Sequence, residues 1–247
     1  MPEAAISETP MTTPALPFAL AAYDNPAALA RALAAHVAEA LRARLARDGS
    51  ASLAVSGGRT PTRFFETLSG APLDWSRIAV TLVDERWVPE TSDRSNAALV
   101  RRYLLKGPAA AARFVPLFTG APTPEDGLAE AETAIAALPV PFAAVVLGMG
   151  DDGHTASFFP GAQALAAAID PAGTAPLIAV RAEGAGEPRI TFTLPPLVSA
   201  DLLLLHIEGA NKRTVLERAA AGGDGADLPI RAVLANARAP LDVLWCP

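Results

Sequence analysis

Asp201-Leu202-Leu203-Leu204-Leu205-His206-Ile207 places four leucines in succession. A strand wetted on one face alternates apolar with polar residues, whereas an unbroken apolar run needs cover on both faces. That is the situation of a strand inside a parallel sheet flanked by helices. Similar short runs stand at 51–55 (ASLAV), 78–83 (IAVTLV) and 142–148 (FAAVVLG), and further apolar runs occupy 114–118, 190–194 and 241–245.

Helical patterns separate these runs. Leu29, Leu33, Val37, Leu41 and Leu45 recur every fourth position behind Asp24-Asn25-Pro26, which predicts an amphipathic helix with proline in its first turn, ending near Asp48-Gly49. Further helices are predicted after Thr60-Pro61, from Ser95, from Thr123-Pro124, and from about Asn211 to Ala220. Strands alternating with helices predict an α/β fold: a mostly parallel, doubly wound, Rossmann-like sheet with helices on both faces. Residues 17–247 are expected to form it as one domain, with 1–16 a mobile segment. Alanine- and proline-rich patches at 107–112, 120–125 and 171–176 read as loops, and no internal repeat is visible.

Composition narrows the function. The chain has 247 residues, 51% of them apolar and 19% charged, the profile of a globular protein with a large core. A net charge of −6 with scattered basic residues supplies no footprint for nucleic acid, so an anionic ligand needs a local nest of positive groups. The first sixteen residues lack the pattern of a secretory signal and no run reaches the length of a membrane span, so a cytoplasmic location without membrane contact is expected. One cysteine, Cys246, and three histidines leave neither a disulfide framework nor a zinc cage, so no metal is expected.

Three polar segments follow predicted strands directly and are read as loops: Ser56-Gly57-Gly58-Arg59-Thr60-Pro61, Asp84-Glu85-Arg86-Trp87, and Gly148-Met149-Gly150-Asp151-Asp152-Gly153-His154-Thr155. Ligands of α/β folds bind beyond the carboxyl ends of strands, where all three fall. The paired glycines before a helix are either a tight turn or an anion cradle of backbone N–H groups, with phosphate the natural occupant. The third segment formally matches the G-x-G-x-x-G dinucleotide pattern. Asp151 and Asp152 oppose a pyrophosphate, however, and Pro160 interrupts the helix that should follow, so that reading is rejected.

His154 differs from His36 and His206, which are expected to be packed on the first helix and at a strand end. It follows a glycine in a polar loop with Asp152 two residues before it, either as part of a helix-capping turn or as a general base whose tautomer the carboxylate fixes. No G-x-S-x-G elbow, H-E-x-x-H pair or P-loop occurs, so any chemistry here is mild. Opening an activated ester such as a lactone needs only a positioned water, a proton acceptor and a held substrate.

Five segments in order, SGGRTP, VDERWVP with the later Ser95-Asn96, LGMGDDGHTASFFPG, RITFTLPPL and GANKRTVLERA, resemble the glucosamine-6-phosphate isomerase and 6-phosphogluconolactonase superfamily from about residue 20 to the C-terminus. The continuation Thr155-Ala156-Ser157-Phe158-Phe159-Pro160 is similar to the lactonases, where the isomerases carry an Ile-Ala-Phe-Asn-Glu-Pro-like segment. The resemblance implies hydrolysis of 6-phosphoglucono-1,5-lactone in the pentose phosphate pathway, with a phosphorylated sugar lactone as partner and no cofactor; a monomer is expected, though the sequence does not determine it. It implies that His154 activates water, that Asp152 supports it, and that Arg86, Lys212 and the Ser56-Gly57-Gly58 loop hold the phosphate. Arg59, where many relatives carry serine, Asp84 and Arg189 are further candidates for substrate contact. Lys212 near a helix start agrees with phosphate binding, since helix N-termini attract anions. An aminosugar-phosphate isomerase and a non-catalytic sugar-phosphate sensor remain the alternatives; the oxyanion donor is not legible.

Overall fold

The computed structural model describes residues 18–183, 185–238 and 241–247, so the expectation of a mobile 1–16 lies outside the described residues. In chain order the elements are β1 (Phe18–Ala22), α1 (Pro26–Asp48), β2 (Ala51–Val55), α2 (Thr62–Ser69), β3 (Ile78–Leu82), β4 (Asp84–Arg86), α3 (Asn96–Tyr103), β5 (Arg113–Val115) and α4 (Pro124–Ile135). There follow β6 (Ala144–Leu147), α5 (Leu165–Ala168), β7 (Leu177–Val180), β8 (Arg189–Phe192), α6 (Leu194–Val198), β9 (Leu202–Glu208), α7 (Ala210–Ala220), α8 (Ile230–Asn236) and β10 (Leu241–Cys246).

The local signals act as their chemistry requires. Asn25 caps α1 by accepting from the Ala28 N–H, and Gly49 closes it in the left-handed region at φ 79°. Ser95 and Thr123 cap α3 and α4 in the same way. Leu29, Leu33, Val37 and Leu41 are fully buried, while Leu45 is only partly so. His36 is exposed rather than packed, because it lies off that four-residue stripe.

Seven strands form one sheet in the order β1-β10-β9-β6-β2-β3-β5, and every pairing in it is parallel. Strands β2, β3 and β6 are buried along their length, as their apolar runs require, whereas β9 is only partly buried at Leu202 and Leu203 and β10 exposes Asp242. Helices α1, α2 and α3 pack in one series and α6, α7 and α8 in another. With crossovers of the right-handed kind that parallel strands take, the two series fall on opposite faces of the sheet. From β2 the chain builds outward through β3 to β5, then returns to place β6 on the other side of β2 and continues through β9 and β10. The order reverses between β2 and β6, which opens a crevice at their carboxyl ends.

Two expectations need correction. Asp84-Glu85-Arg86 is a strand rather than a loop, and the run at 190–194 does not join the parallel sheet. Strand β8 pairs antiparallel with both β4 and β7 in a separate three-stranded sheet. The crossing point is Val83, whose N–H donates to Val55 while its carbonyl accepts from Phe192. The run at 114–118 yields strand only as far as Val115, since Pro116 has no N–H to donate to a ladder.

Candidate active site

A cleft of about 440 Å³ lies where the order of strands reverses. Its floor is the end of β2, running into Ser56-Gly57-Gly58, and the end of β6, running into Gly148-Met149-Gly150. The two loops are tied together: the Gly148 N–H donates to Ser56 Oγ at 3.0 Å, and Thr155 Oγ1 donates to the Gly148 carbonyl at 2.8 Å. Gly57 is required by space, because a Cβ there would lie 1.8 Å from Asn96 Oδ1.

His154 is half-buried in this wall, with Nδ1 2.6 Å from Asp152 Oδ1, which also accepts the His154 backbone N–H at 3.1 Å. An ionised carboxylate only accepts, so Nδ1 carries the proton and Nε2 is left with its lone pair. Burial pushes the Asp152 carboxyl up, but its hydrogen bonds to the His154 ring and backbone N–H outweigh this and hold it below the usual carboxylate range. The loop is closed by the Gly150 N–H on the His154 carbonyl at 2.9 Å. Ala156 follows at φ 49°, a left-handed conformation that a non-glycine residue adopts only under constraint, and it also lines the cleft.

Positive charge comes from elsewhere in the chain. Strand β4 carries Arg86 and β8 carries Arg189, which are register partners across the antiparallel pair. Arg86 Nη1 donates to the Arg94 carbonyl, and the Arg94 side chain is forked onto Glu187 at 2.6 and 2.8 Å. That fork holds the Glu187 carboxyl down at about 2. Asp84 faces the same space and accepts from Ser157 Oγ at 2.6 Å. Beneath β4, buried Glu85 accepts from the backbone N–H groups of Arg86, Asn96 and Ala97 and from Ser95 Oγ, fixing the start of α3 against the strand. Lys212, in the first turn of α7, and exposed Arg59 complete the cationic lining.

Residues 24–245 match the family described as Glucosamine-6-phosphate isomerases/6-phosphogluconolactonase. The chain belongs to this family. It is 55% identical over 225 residues to a 6-phosphogluconolactonase of Rhizobium meliloti (strain 1021), covering 91% of this chain and 97% of that relative. Among solved structures it is similar to a 6-phosphogluconolactonase from Shewanella baltica OS155, with a TM-score of 0.90 and 39% identity over 93% of this chain and 98% of the other. A monomeric glucosamine-6-phosphate deaminase shares the fold alone, at a TM-score of 0.70 and 16% identity over 92% of this chain and 96% of that one.

Within this family fold, the residues singled out from sequence come together. Ser56, Gly57, Gly58 and Arg59 line the cleft from the segment after β2, Asp84, Arg86 and Arg189 from the antiparallel sheet, His154 from the loop after β6, and Lys212 from the first turn of α7. Asp152 alone does not line the cleft; it stands behind the imidazole and touches it. Sequence reasoning missed Arg94, gave Asn96 and Phe159 no role beyond their motifs although all three line the cleft, and read His206 only as packed. His206 is indeed buried, with Nε2 3.1 Å from Glu208 Oε1, yet it borders the same space. Arg94 carried no local signal, and Asn96 stood only as a motif residue until the fold set its Nδ2, as donor, on the Asp84 carbonyl. Phe159 lay inside a quoted motif but reads as core until its neighbours are known. Among the described residues no three His, Cys, Asp or Glu side chains gather to hold a metal, and no helix is long and apolar enough to cross a membrane.

Proposed function

We propose that this chain hydrolyses 6-phospho-D-glucono-1,5-lactone to 6-phospho-D-gluconate, the lactone-opening step of the pentose phosphate pathway, with His154 as base. The observation that carries the reading is the His154–Asp152 pair, set with Nε2 unengaged at the edge of a cleft that also holds the Ser56-Gly57-Gly58 loop, Arg86 and Lys212. The names of the relatives support the same activity.

Arg86, Lys212 and the N–H groups of the glycine loop grip the phosphate, and the sugar extends toward His154. A water on Nε2 gives up a proton as its oxygen bonds to the lactone carbonyl carbon, and the carbonyl electron pair moves onto oxygen. The imidazolium so formed is stabilised by Asp152. As the carbonyl re-forms, the bond to the ring oxygen breaks and His154 returns its proton to that oxygen. The product acid then ionises to solvent. General-base catalysis of this kind contributes about 10²–10⁴-fold.

The deciding assay generates the lactone in place with a glucose-6-phosphate dehydrogenase and follows its loss above the spontaneous rate, with glucosamine 6-phosphate in parallel. Accelerated lactone loss without ammonia release is expected. Ammonia release from the aminosugar, with the lactone untouched, would transfer the site to the isomerases. Tight binding of both without turnover would make it a sensor.

A further inference from the structure

Arg189 is a buried guanidinium whose nearest carboxylate, Asp84, stands beyond hydrogen-bond reach. It lines the cleft with its side chain only 8% exposed. Of its donors, Nη2 bonds the Ala185 carbonyl at 2.8 Å, Nη1 stands 3.8 Å from Asp84 Oδ2, beyond hydrogen-bond reach, and buried Nε has no partner. Asp84 is already bonded to Ser157, Glu187, the other carboxylate that acts on Arg189, is forked by Arg94, and the register partner of Arg189 is another guanidinium, Arg86. Burial lowers the pKa of Arg189, Asp84 opposes that, and Arg86 adds to it. A guanidinium remains charged throughout the physiological range, so these opposing pulls set a demand for an anion rather than a loss of the proton.

Where that anion belongs follows from Phe159. The Arg189 guanidinium carbon lies 5.5 Å from the centre of the Phe159 ring, and the same ring meets the His154 imidazole at 4.6 Å between centroids, tilted by 38°. One aromatic side chain therefore touches both the proposed base and the cation. Arg86 is held through Nη1 by the Arg94 carbonyl, although its Nε, like that of Arg189, is buried without a partner. The cationic donor tied through a single residue to His154 is Arg189.

From this geometry we propose that Arg189 is a catalytic residue, the donor that stabilises the carbonyl oxygen of the lactone while water adds, and that Phe159 is the positioning residue that keeps it in place beside His154. This rests on the hydrolase reading above. When the water oxygen bonds to the carbonyl carbon, the π pair becomes a full charge on oxygen, and the free donors of Arg189 meet it. When that pair re-forms the double bond and the ring C–O bond breaks, the acid so formed ionises to solvent, and its carboxylate carries a negative charge at the same place. Arg189 thus serves the transition state and then holds the product. Donors poised at the site of developing charge, in a partly desolvated cleft, require little reorganisation during the reaction.

The test separates an oxyanion donor from one more phosphate ligand by using two substrates. Wild type, Arg189→Gln, Arg189→Lys and Phe159→Leu are assayed on the phosphorylated lactone and on unphosphorylated glucono-1,5-lactone, with thermal melts to confirm folding. Arg189→Gln is expected to lower kcat about 10²–10³-fold, the loss typical of one such donor, on both substrates alike and with KM of the phosphorylated lactone little changed. Arg189→Lys should recover part of the loss, and Phe159→Leu should lower kcat on both substrates by a smaller factor. A defect confined to KM of the phosphorylated lactone overturns the proposal, as does wild-type kcat in folded Arg189→Gln. If Arg189→Gln does not fold, folded Phe159→Leu at wild-type kcat overturns it instead. Direct binding gives an independent reading: the Arg189 substitutions should weaken 6-phosphogluconate, which carries the carboxylate, and spare glucose 6-phosphate, which does not. Equal weakening of both ligands counts against the assignment. Failure of the wild type to open the lactone removes the hydrolase reading, and the oxyanion role with it.

Discussion

Asp152 Oδ1 lies 2.6 Å from His154 Nδ1 and also accepts the His154 backbone N–H, so one carboxylate oxygen fixes both the ring and the chain that carries it. Two bonds from one side chain over a two-residue span leave the imidazole little freedom to turn, and they settle which ring nitrogen faces substrate. His154→Asn removes the proton acceptor while keeping a similar size. We expect kcat to fall about 10²–10⁴-fold, equivalent to about 3–5.5 kcal/mol of transition-state stabilisation, with KM nearly unchanged. Asp152→Asn keeps the base and disturbs only its orientation and charge, so its defect should be smaller. Progress curves corrected for spontaneous hydrolysis decide both, and near-normal kcat in a folded His154→Asn protein would pass the role to a carboxylate.

The narrowness of the same loop yields a second expectation. A Cβ on Gly150 would lie 2.2 Å from His154 Nδ1 and 2.6 Å from Asp152 Oδ1, closer than atoms can pack. Gly150→Ala should therefore separate the pair and lower kcat at least as much as Asp152→Asn. Its thermal midpoint should move little, because the loop is at the surface and the backbone at 150 needs no positive φ. Full activity in Gly150→Ala would show that the hydrogen bond is dispensable.

The phosphate grip makes a prediction in KM. Charge-assisted hydrogen bonds are worth about 1.5–3 kcal/mol each, so Arg86→Ala or Lys212→Ala should raise KM for the phosphorylated lactone about tenfold or more. Glucono-1,5-lactone, which has no phosphate, should be affected little. Steady-state kinetics on the two substrates check this, and equal effects would remove these residues from the clamp.

Glu85 links stability to pH. Burial pushes its carboxyl up to about 7 from an ordinary value of 4.5, against the pull of the backbone N–H groups of Asn96, Ala97 and Arg86. Between those two values the folded protein binds more protons than the unfolded chain, so the contribution of this group is greatest below about 4.5 and is lost as pH rises through 7. Thermal melts from pH 5 to 8 should show that decline, and Glu85→Gln, which does not titrate, should flatten it. Glu85→Ala strands buried N–H donors at the start of α3 and should destabilise at every pH, by about 1–3 kcal/mol for each donor left without a partner. A Glu85→Gln profile that falls as steeply as wild type would show that another group sets the slope.

Much of this protein is legible in its residues alone. The four-residue repeat of Leu29, Leu33, Val37 and Leu41 with caps at Asn25 and Gly49 determines α1, because burial period and capping are local properties. The apolar runs determine which segments become covered strands, and the Asp152-Gly153-His154 spacing brings carboxylate and imidazole together, since two residues of chain cannot separate them far. Tertiary structure decided what depends on pairing between distant segments. The reversal of order between β2 and β6 places the Ser56 and Gly148 loops side by side, a contact between positions 92 residues apart that no local pattern encodes. The antiparallel pairing of β4 with β8 turns a segment that reads as a polar loop into a strand and sets Arg86 opposite Arg189. Phe159 reads as a core aromatic in the sequence, and only the folded chain gives it His154 as one neighbour and Arg189 as another. Local chemistry fixes elements and short-range pairs; which elements meet is decided by the burial of the whole core, and the cationic half of the cleft follows from that choice.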